Sequence, residues 1–223
     1  MDGDGEGPLA MITGGHGYLG RACAAAFAAQ GWHVLAPGRD ELDVGSAASV
    51  DHFFAGLDRI DALVNNAGTT GDALVTRMDD AAWEHILRID LTGAFLCSRA
   101  AIRLMVKRRR GHLIHIGSWS GLRGNLGQAN YAAAKAGLIG LSASLAKEYG
   151  GRQIQSNVVL PGFLETKMTA PLPPAVRERA LAAHALGRFN TPGDAAAFIA
   201  FLARMPHVSG QVFQLDSRVG RWA

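Results

Sequence analysis

No apolar run in this 223-residue chain approaches the ~20 residues that a membrane-spanning helix requires, which argues against a helical membrane protein. Cysteine is scarce: Cys23 and Cys97 each lie in a helix-like apolar stretch and are expected to be buried thiols. No Cys/His spacing suggests a metal site. Charged residues make up 18% of the chain and the formal net charge is +3, too mild a balance for a nucleic-acid binder. The basic run Lys107-Arg108-Arg109-Arg110 reads as a solvated helix C-terminus, where cations complement the helix dipole. Internal repeats, linkers and low-complexity segments are missing as well. The opening MDGDGEGPLA is acidic and glycine-rich, unlike a signal peptide, so residues 1–7 are expected to be flexible and the setting cytoplasmic.

What is present is an ordinary globular composition, 48% hydrophobic, in a length that suits one domain over residues 1–223. Residues 9–13 (LAMIT) read as a buried strand. They run into the glycine-rich turn GGHGYLG, an alanine-rich helix closed by Gly31, and a second strand in WHVLAPG. Strand, glycine-rich turn, helix and strand make half of a dinucleotide-binding unit, with backbone N–H groups facing a pyrophosphate. The next piece is compressed. Arg39-Asp40-Glu41 leads at once into Leu42-Asp43-Val44, read as a very short strand, and then into a helix capped by Ser46. Further strands are expected in IDALVNN, HLIHI, IQSNVVL and QVFQLD. Long helices are expected at about 80–109 and 130–149, and a last one in GDAAAFIAFLARM. Residues 164–190 hold three prolines and a helical patch suited to a substrate lid. The alternation predicts an α/β fold. It is a single Rossmann-like, doubly wound parallel sheet with helices on both faces, shortened between the second and third strands.

The chemistry centres on Ser118, Tyr131 and Lys135. Tyr131 and Lys135 are four residues apart on an expected helix and so share a face. An ammonium beside a phenol favours the phenolate, which makes a proton donor usable near neutral pH. Ser118 follows the buried run HLIHI and so stands at the C-terminal end of a strand, where open α/β sheets carry their sites. A hydroxyl, a phenol and a lysine there could polarise and protonate a carbonyl as hydride arrives.

These features, with Asp43-Val44, Asn65-Asn66-Ala67-Gly68 and Pro161-Gly162, resemble the short-chain dehydrogenases/reductases from Thr13-Gly14 to Asp216. GDALVTRMDDAAW, GQANYAAAKAGLIGLSASLAKE and VVLPGFLETKMT are most similar to the beta-ketoacyl carrier-protein reductases. That resemblance implies NADPH-dependent reduction of a 3-oxoacyl thioester, on acyl carrier protein or CoA, to the 3-hydroxyacyl thioester. It implies that Tyr131 is the acid, that Lys135 lowers its pKa and holds the nicotinamide ribose, and that Ser118 hydrogen-bonds the substrate carbonyl. For the cofactor it implies Gly14, His16, Gly17, Tyr18, Leu19 and Gly20 in the turn. It adds Asp43 and Val44 near the adenine, Asn66, Ala67 and Gly68 towards the adenosine, and Pro161, Gly162 and Thr166 near the carboxamide. Arg39, at the end of the second strand, points to the 2′-phosphate of NADPH rather than to NADH.

Departures from the family pattern qualify this. Asp90 stands where relatives carry a catalytic asparagine that helps hold a proton-passing water; a carboxylate there could keep the water, or favour the ammonium of Lys135 and alter the pH profile. Gly17 and Tyr18 follow the turn spacing of the extended branch of the superfamily, but the chain has no room for that branch's C-terminal domain. The tail LDSRVGRWA replaces the usual Asp-Gly-Gly and puts the common tetramer in doubt. A homodimer or homotetramer paired through the two long helices is expected. Arg109, at a helix end near the expected pocket, and Arg152 match positions that relatives use to dock acyl carrier protein. Two alternatives stand beside this reading: a reductase or dehydrogenase of another small-molecule ketone or alcohol, and a cofactor-binding sensor or scaffold whose catalysis has decayed.

Overall fold

The computed structural model describes residues 7–165 and 174–219. The expectations for residues 1–7, for Thr166 and for much of the lid therefore fall wholly or partly outside the described residues. Six parallel strands form one sheet: β1 (Leu9–Ile12), β2 (His33–Leu35), β3 (Ala62–Asn65), β4 (Gly111–Ile116), β5 (Ile154–Leu160) and β6 (Val212–Gln214). Their order is β2-β1-β3-β4-β5-β6. A doubly wound sheet of order 3-2-1-4-5-6 carries one more strand outside the second, so here β2 is the edge.

The shortening goes further than the sequence suggested, because Leu42-Asp43-Val44 is not a strand. After Pro37 the chain turns at once, with the Leu42 N–H donating to Gly38 O at 3.0 Å. Leu42 and Val44 then drop into the core beneath the sheet instead of pairing with β2. Asp43 is held by its N–H on Ser49 Oγ and by its carboxylate accepting from the Gly45 N–H. Helix α2 (Ala47–Ala55) follows, and its Ser46 cap accepts from the Ser49 N–H at 3.3 Å.

Helix α1 (Tyr18–Ala29) forms because alanine costs least in a helix. It stops before Gly31, whose φ of +79° suits glycine. With α8 (Pro192–Leu202) it covers one face of the sheet. Thr191 caps α8 and proline begins it. Phe27 on α1 is fully buried against Trp32, ring centroids 5.2 Å apart, a burial that contributes about 2–3 kcal/mol. The other face packs α2, α4 (Gly93–Arg108) and the end of α6 (Ala129–Tyr149).

The long helix expected at about 80–109 is α3 (Asp80–Leu87) joined to α4 through a π turn over Arg88–Thr92. One wide turn of this kind inserts an extra residue without ending the rod. Its consequence is Asp90, carried inward and buried. Both cysteines are buried free thiols, and burial pushes each to a pKa of about 12.

Candidate active site

The C-terminal ends of β1, β3, β4 and β5 bring most of the expected residues to one rim. Thr13, just past β1, ties two of these ends together. Its hydroxyl accepts from the N–H groups of Asn66 and Ala67, each at 3.0 Å. The Asn66 amide returns bonds to Thr13 O at 2.9 Å and Gly14 O at 3.2 Å. In the sequence Thr13 stands only at the start of the glycine-turn pattern. A hydroxyl just before a glycine turn, opposite Asn-Asn, was the available signal.

The glycine turn is packed so tightly that side chains are excluded from it. Gly14 has φ +63°, and a β-carbon there would lie 2.9 Å from Ala67 Cα. A β-carbon on Gly15 would collide with the Ala36 carbonyl, and one on Gly20 with the Gly14 carbonyl. Gly17 stands at the N-cap of α1, without a side-chain cap hydrogen bond. Leu19 is buried while Tyr18 is half-exposed. Such a cradle fits a pyrophosphate at a helix N-terminus. Beside it the His16 ring lies over Gly38, and Glu41 accepts from the Gly38 N–H at 2.8 Å while facing His16 Nε2 at 3.4 Å. Arg39 is exposed at the same corner. Glu41 was not singled out in the sequence, because only the tight turn brings it back to the end of β2.

On β4's side, Ser118 caps a short helix that the sequence did not reveal, α5 (Trp119–Arg123), accepting from the Ser120 N–H at 3.2 Å. Gly121 lets α5 lie against the backbone of α6 at Lys135. Asn130, fully buried, accepts from the Tyr131 N–H at 2.8 Å and reaches Gly71 O and Ala82 O, orienting the first turn of α6. Lys135 Nζ donates to Ile116 O at 3.0 Å and lies 5.5 Å from the centre of the Tyr131 ring. Asp90 Oδ2 faces the same Nζ at 3.1 Å, and Oδ1 accepts from the Thr69 N–H at 2.8 Å. Burial works against the Lys135 ammonium, but the Asp90 carboxylate, then the Tyr131 phenol, outweigh it and hold its pKa above the ordinary lysine value. A β-carbon on Gly68 would come within 2.9 Å of Asp90 Oδ2, so the approach of this loop to the pair requires glycine.

At β5, Gly162 (φ +87°) packs on Asp216. Asp216 and Arg218 form an ion pair within the chain, and the Arg218 guanidinium stacks 4.6 Å from the Trp119 ring centre, next to Ser118. Burial opposes ionisation of Asp216, but hydrogen bonds from Arg218 and Gln214 hold its carboxyl below the usual range.

Arg109 is not near this rim. It follows α4 and precedes β4, at the N-terminal edge of the sheet, whereas Ser118 lies beyond β4's other end. Six residues of strand separate the two by roughly 20 Å. Arg109 donates to Gly151 O at 2.9 Å, so Arg152 is at that far edge with it. A helix antiparallel to the strand that follows it ends where that strand begins, which puts Arg109 at the edge away from the site.

A family model described as enoyl-(acyl carrier protein) reductase matches residues 40–217. The chain is 38% identical to the Thermotoga maritima 3-oxoacyl-acyl-carrier-protein reductase FabG, over 95% of this chain and 97% of that one. It is 40% identical to the Escherichia coli K12 FabG, over 95% and 96%. The chain belongs to the short-chain dehydrogenase/reductase family. It is an oxidoreductase that uses a nicotinamide cofactor. The crystal structure of gox2181 superposes with a TM-score of 0.91 at 29% identity, covering 95% of each chain. Among the described residues no helix is long and apolar enough to cross a membrane, and no group of three or more His, Cys, Asp or Glu could hold a metal ion.

Proposed function

We propose that this chain reduces a 3-oxoacyl thioester to the 3-hydroxyacyl thioester with NADPH. What supports the reading is that Lys135 Nζ lies beside the Tyr131 ring at the end of β4, in a chain 38–40% identical to 3-oxoacyl-acyl-carrier-protein reductases. NADPH supplies the hydride when bound. Gly14, Gly15, Gly17 and Gly20 would hold its pyrophosphate, Asp43 and Val44 would border the adenine, and Asn66 to Gly68 would line the adenosine side. Pro161 and Gly162 would border the nicotinamide.

Tyr131 donates a proton to the carbonyl oxygen as negative charge develops there. Ser118 Oγ spends one lone pair on the Ser120 N–H and keeps its O–H for the substrate. Lys135 adds positive charge beside the phenol, in a setting from which water is largely excluded, and so stabilises the oxyanion. Trp119 and Arg218, stacked next to Ser118, would line the substrate's side of the site.

Arg39 favours NADPH by pairing with the 2′-phosphate. A specific observation supports NADH as a second reading: the Glu41 carboxylate stands at the end of β2, where it would accept from a ribose hydroxyl and repel a phosphate. Arg109 and Arg152 dock an acidic carrier. Because they lie at the far edge of the sheet, the carrier would serve the site of a second copy packed antiparallel through α4 and α6, where Phe95, Ala136 and Gly140 are exposed. Oxidation of NADPH by an acetoacetyl thioester, followed in wild type and Tyr131→Phe, tests the reading. Turnover that the variant loses supports it. Cofactor binding without turnover of any thioester transfers the assignment to another ketone.

A further inference from the structure

The family's asparagine is neutral, and its replacement by Asp90 puts a second full charge into the site. Lys135 and Asp90 are 4% and 1% exposed, so water screens neither. Three features determine where the carboxylate points. The π turn Arg88–Thr92 carries Asp90 inward, the Thr69 N–H holds Oδ1, and Oδ2, which accepts no hydrogen bond among the described residues, faces Nζ at 3.1 Å as an ion pair. A lysine has three N–H donors. One goes to Ile116 O, and the ammonium charge lies against Asp90 Oδ2, on the same lysine that stands 5.5 Å from the Tyr131 ring centre.

We infer that Asp90 is a positioning residue that clamps Lys135 by a direct ion pair, keeping Nζ oriented and charged through the alkaline range in which the reaction would otherwise fail. The inference rests on the proposed reductase reading for its kinetic consequence but not for the ion pair itself. Each element packed round Nζ contributes a group. Tyr131 is on α6, Asp90 is in the π turn, and His115 is on β4. Burial, aided by the charges of Lys135 and then His112, pushes His115 down to about 3, so it stays neutral. Asp90 is the one carboxylate among these groups. An asparagine in its place would keep the bond from Thr69 through its carbonyl oxygen and turn an NH2 towards Nζ, so Asp90→Asn removes both the attraction and the acceptor.

The test has two arms. Selectively ε-13C-labelled lysine gives four lysine signals, since the chain has Lys107, Lys135, Lys147 and Lys167; Lys135 is assigned with Lys135→Met. In wild type its signal is expected to titrate above the ordinary lysine value of about 10.4, and in Asp90→Asn at least about one pH unit lower than in wild type. In the kinetic arm, the alkaline limb of kcat for thioester reduction is expected to move down by a similar interval in Asp90→Asn, with KM for the thioester nearly unchanged below that limb. A wild-type Lys135 that titrates at or below the ordinary value would overturn the inference, whether or not the variant folds. So would coincident limbs in the two proteins. If neither protein turns over any thioester, the substrate reading fails while the titration arm still decides the clamp.

Discussion

At the catalytic end of the proposed cofactor groove, every group is held from inside the fold. Ile116 O and Asp90 anchor Lys135, Asn130 orients the turn that carries Tyr131, and Gly68 and Gly121 let loop and helix close on the pair. At the adenosine end the corresponding corner is a surface turn. The chain passes from Pro37 to Gly45 without adding a strand, and His16, Arg39 and Glu41 are all exposed. Chemistry needs groups fixed to fractions of an ångström, and buried backbone contacts supply that. Recognition of a nucleotide's outer ribose tolerates a shortened, solvated corner, because charge alone does much of the selecting.

Four experiments would break or sharpen this contrast. The largest effect is expected at the rigid end. Tyr131→Phe should lower kcat by roughly 10²–10⁴-fold, the range for losing a positioned acid, while NADPH affinity measured by fluorescence stays close to wild type. A binding loss of similar size would mean that the two ends are not separable. Next is acid stability. His112 and His115, on β4 beneath the site, are kept neutral by burial, with pKa values lowered from 6.5 to about 4 and about 3. Below 6.5 the unfolded chain binds protons that the folded chain refuses, so stability falls as pH drops from 6.5 and levels off near 3. The slope is at most about 1.4 kcal/mol per pH unit for each histidine. Urea unfolding of His115→Gln should show a shallower fall.

The soft end predicts smaller effects. Arg39→Ala should weaken NADPH about tenfold and leave NADH alone, as expected from losing one guanidinium–phosphate contact. Glu41→Gln should improve NADPH and weaken NADH. Titration calorimetry with both nucleotides checks the pair, and a swap of the two responses would assign the corner to NADH. Smallest is Ser46→Ala, which removes the α2 cap at a cost of about 1 kcal/mol. It should lower the melting temperature and leave kcat unchanged.

Much of this was legible before the structure. Tyr131 and Lys135 four residues apart, Ser118 after HLIHI, and glycines between β1 and α1 are local patterns, and local patterns survive folding. The places where the reading failed all depend on what lies across space. Leu42-Asp43-Val44 has strand-like residues, yet both apolar side chains are more stable in the core than the backbone would be on an exposed edge. Arg109 reads as a helix end near the pocket, but the six-residue strand β4 lies between it and Ser118. The helix rod of residues 80–108 was visible as an apolar stripe, whereas the π turn inside it was not, since one extra residue leaves the stripe nearly in phase.

By itself, then, the sequence determined the alternation of strand and helix, the glycine turn, and which residues could donate a proton or hold a phosphate. Those follow from periodicity and side-chain chemistry along the chain. Only the tertiary structure decided that Asp90 meets Lys135 as an ion pair, that Glu41 returns to the end of β2, and that Arg109 and Arg152 stand at the opposite edge from the site. Each of these is a contact between segments brought together by packing, and the free energy that selects it belongs to the whole core rather than to either segment.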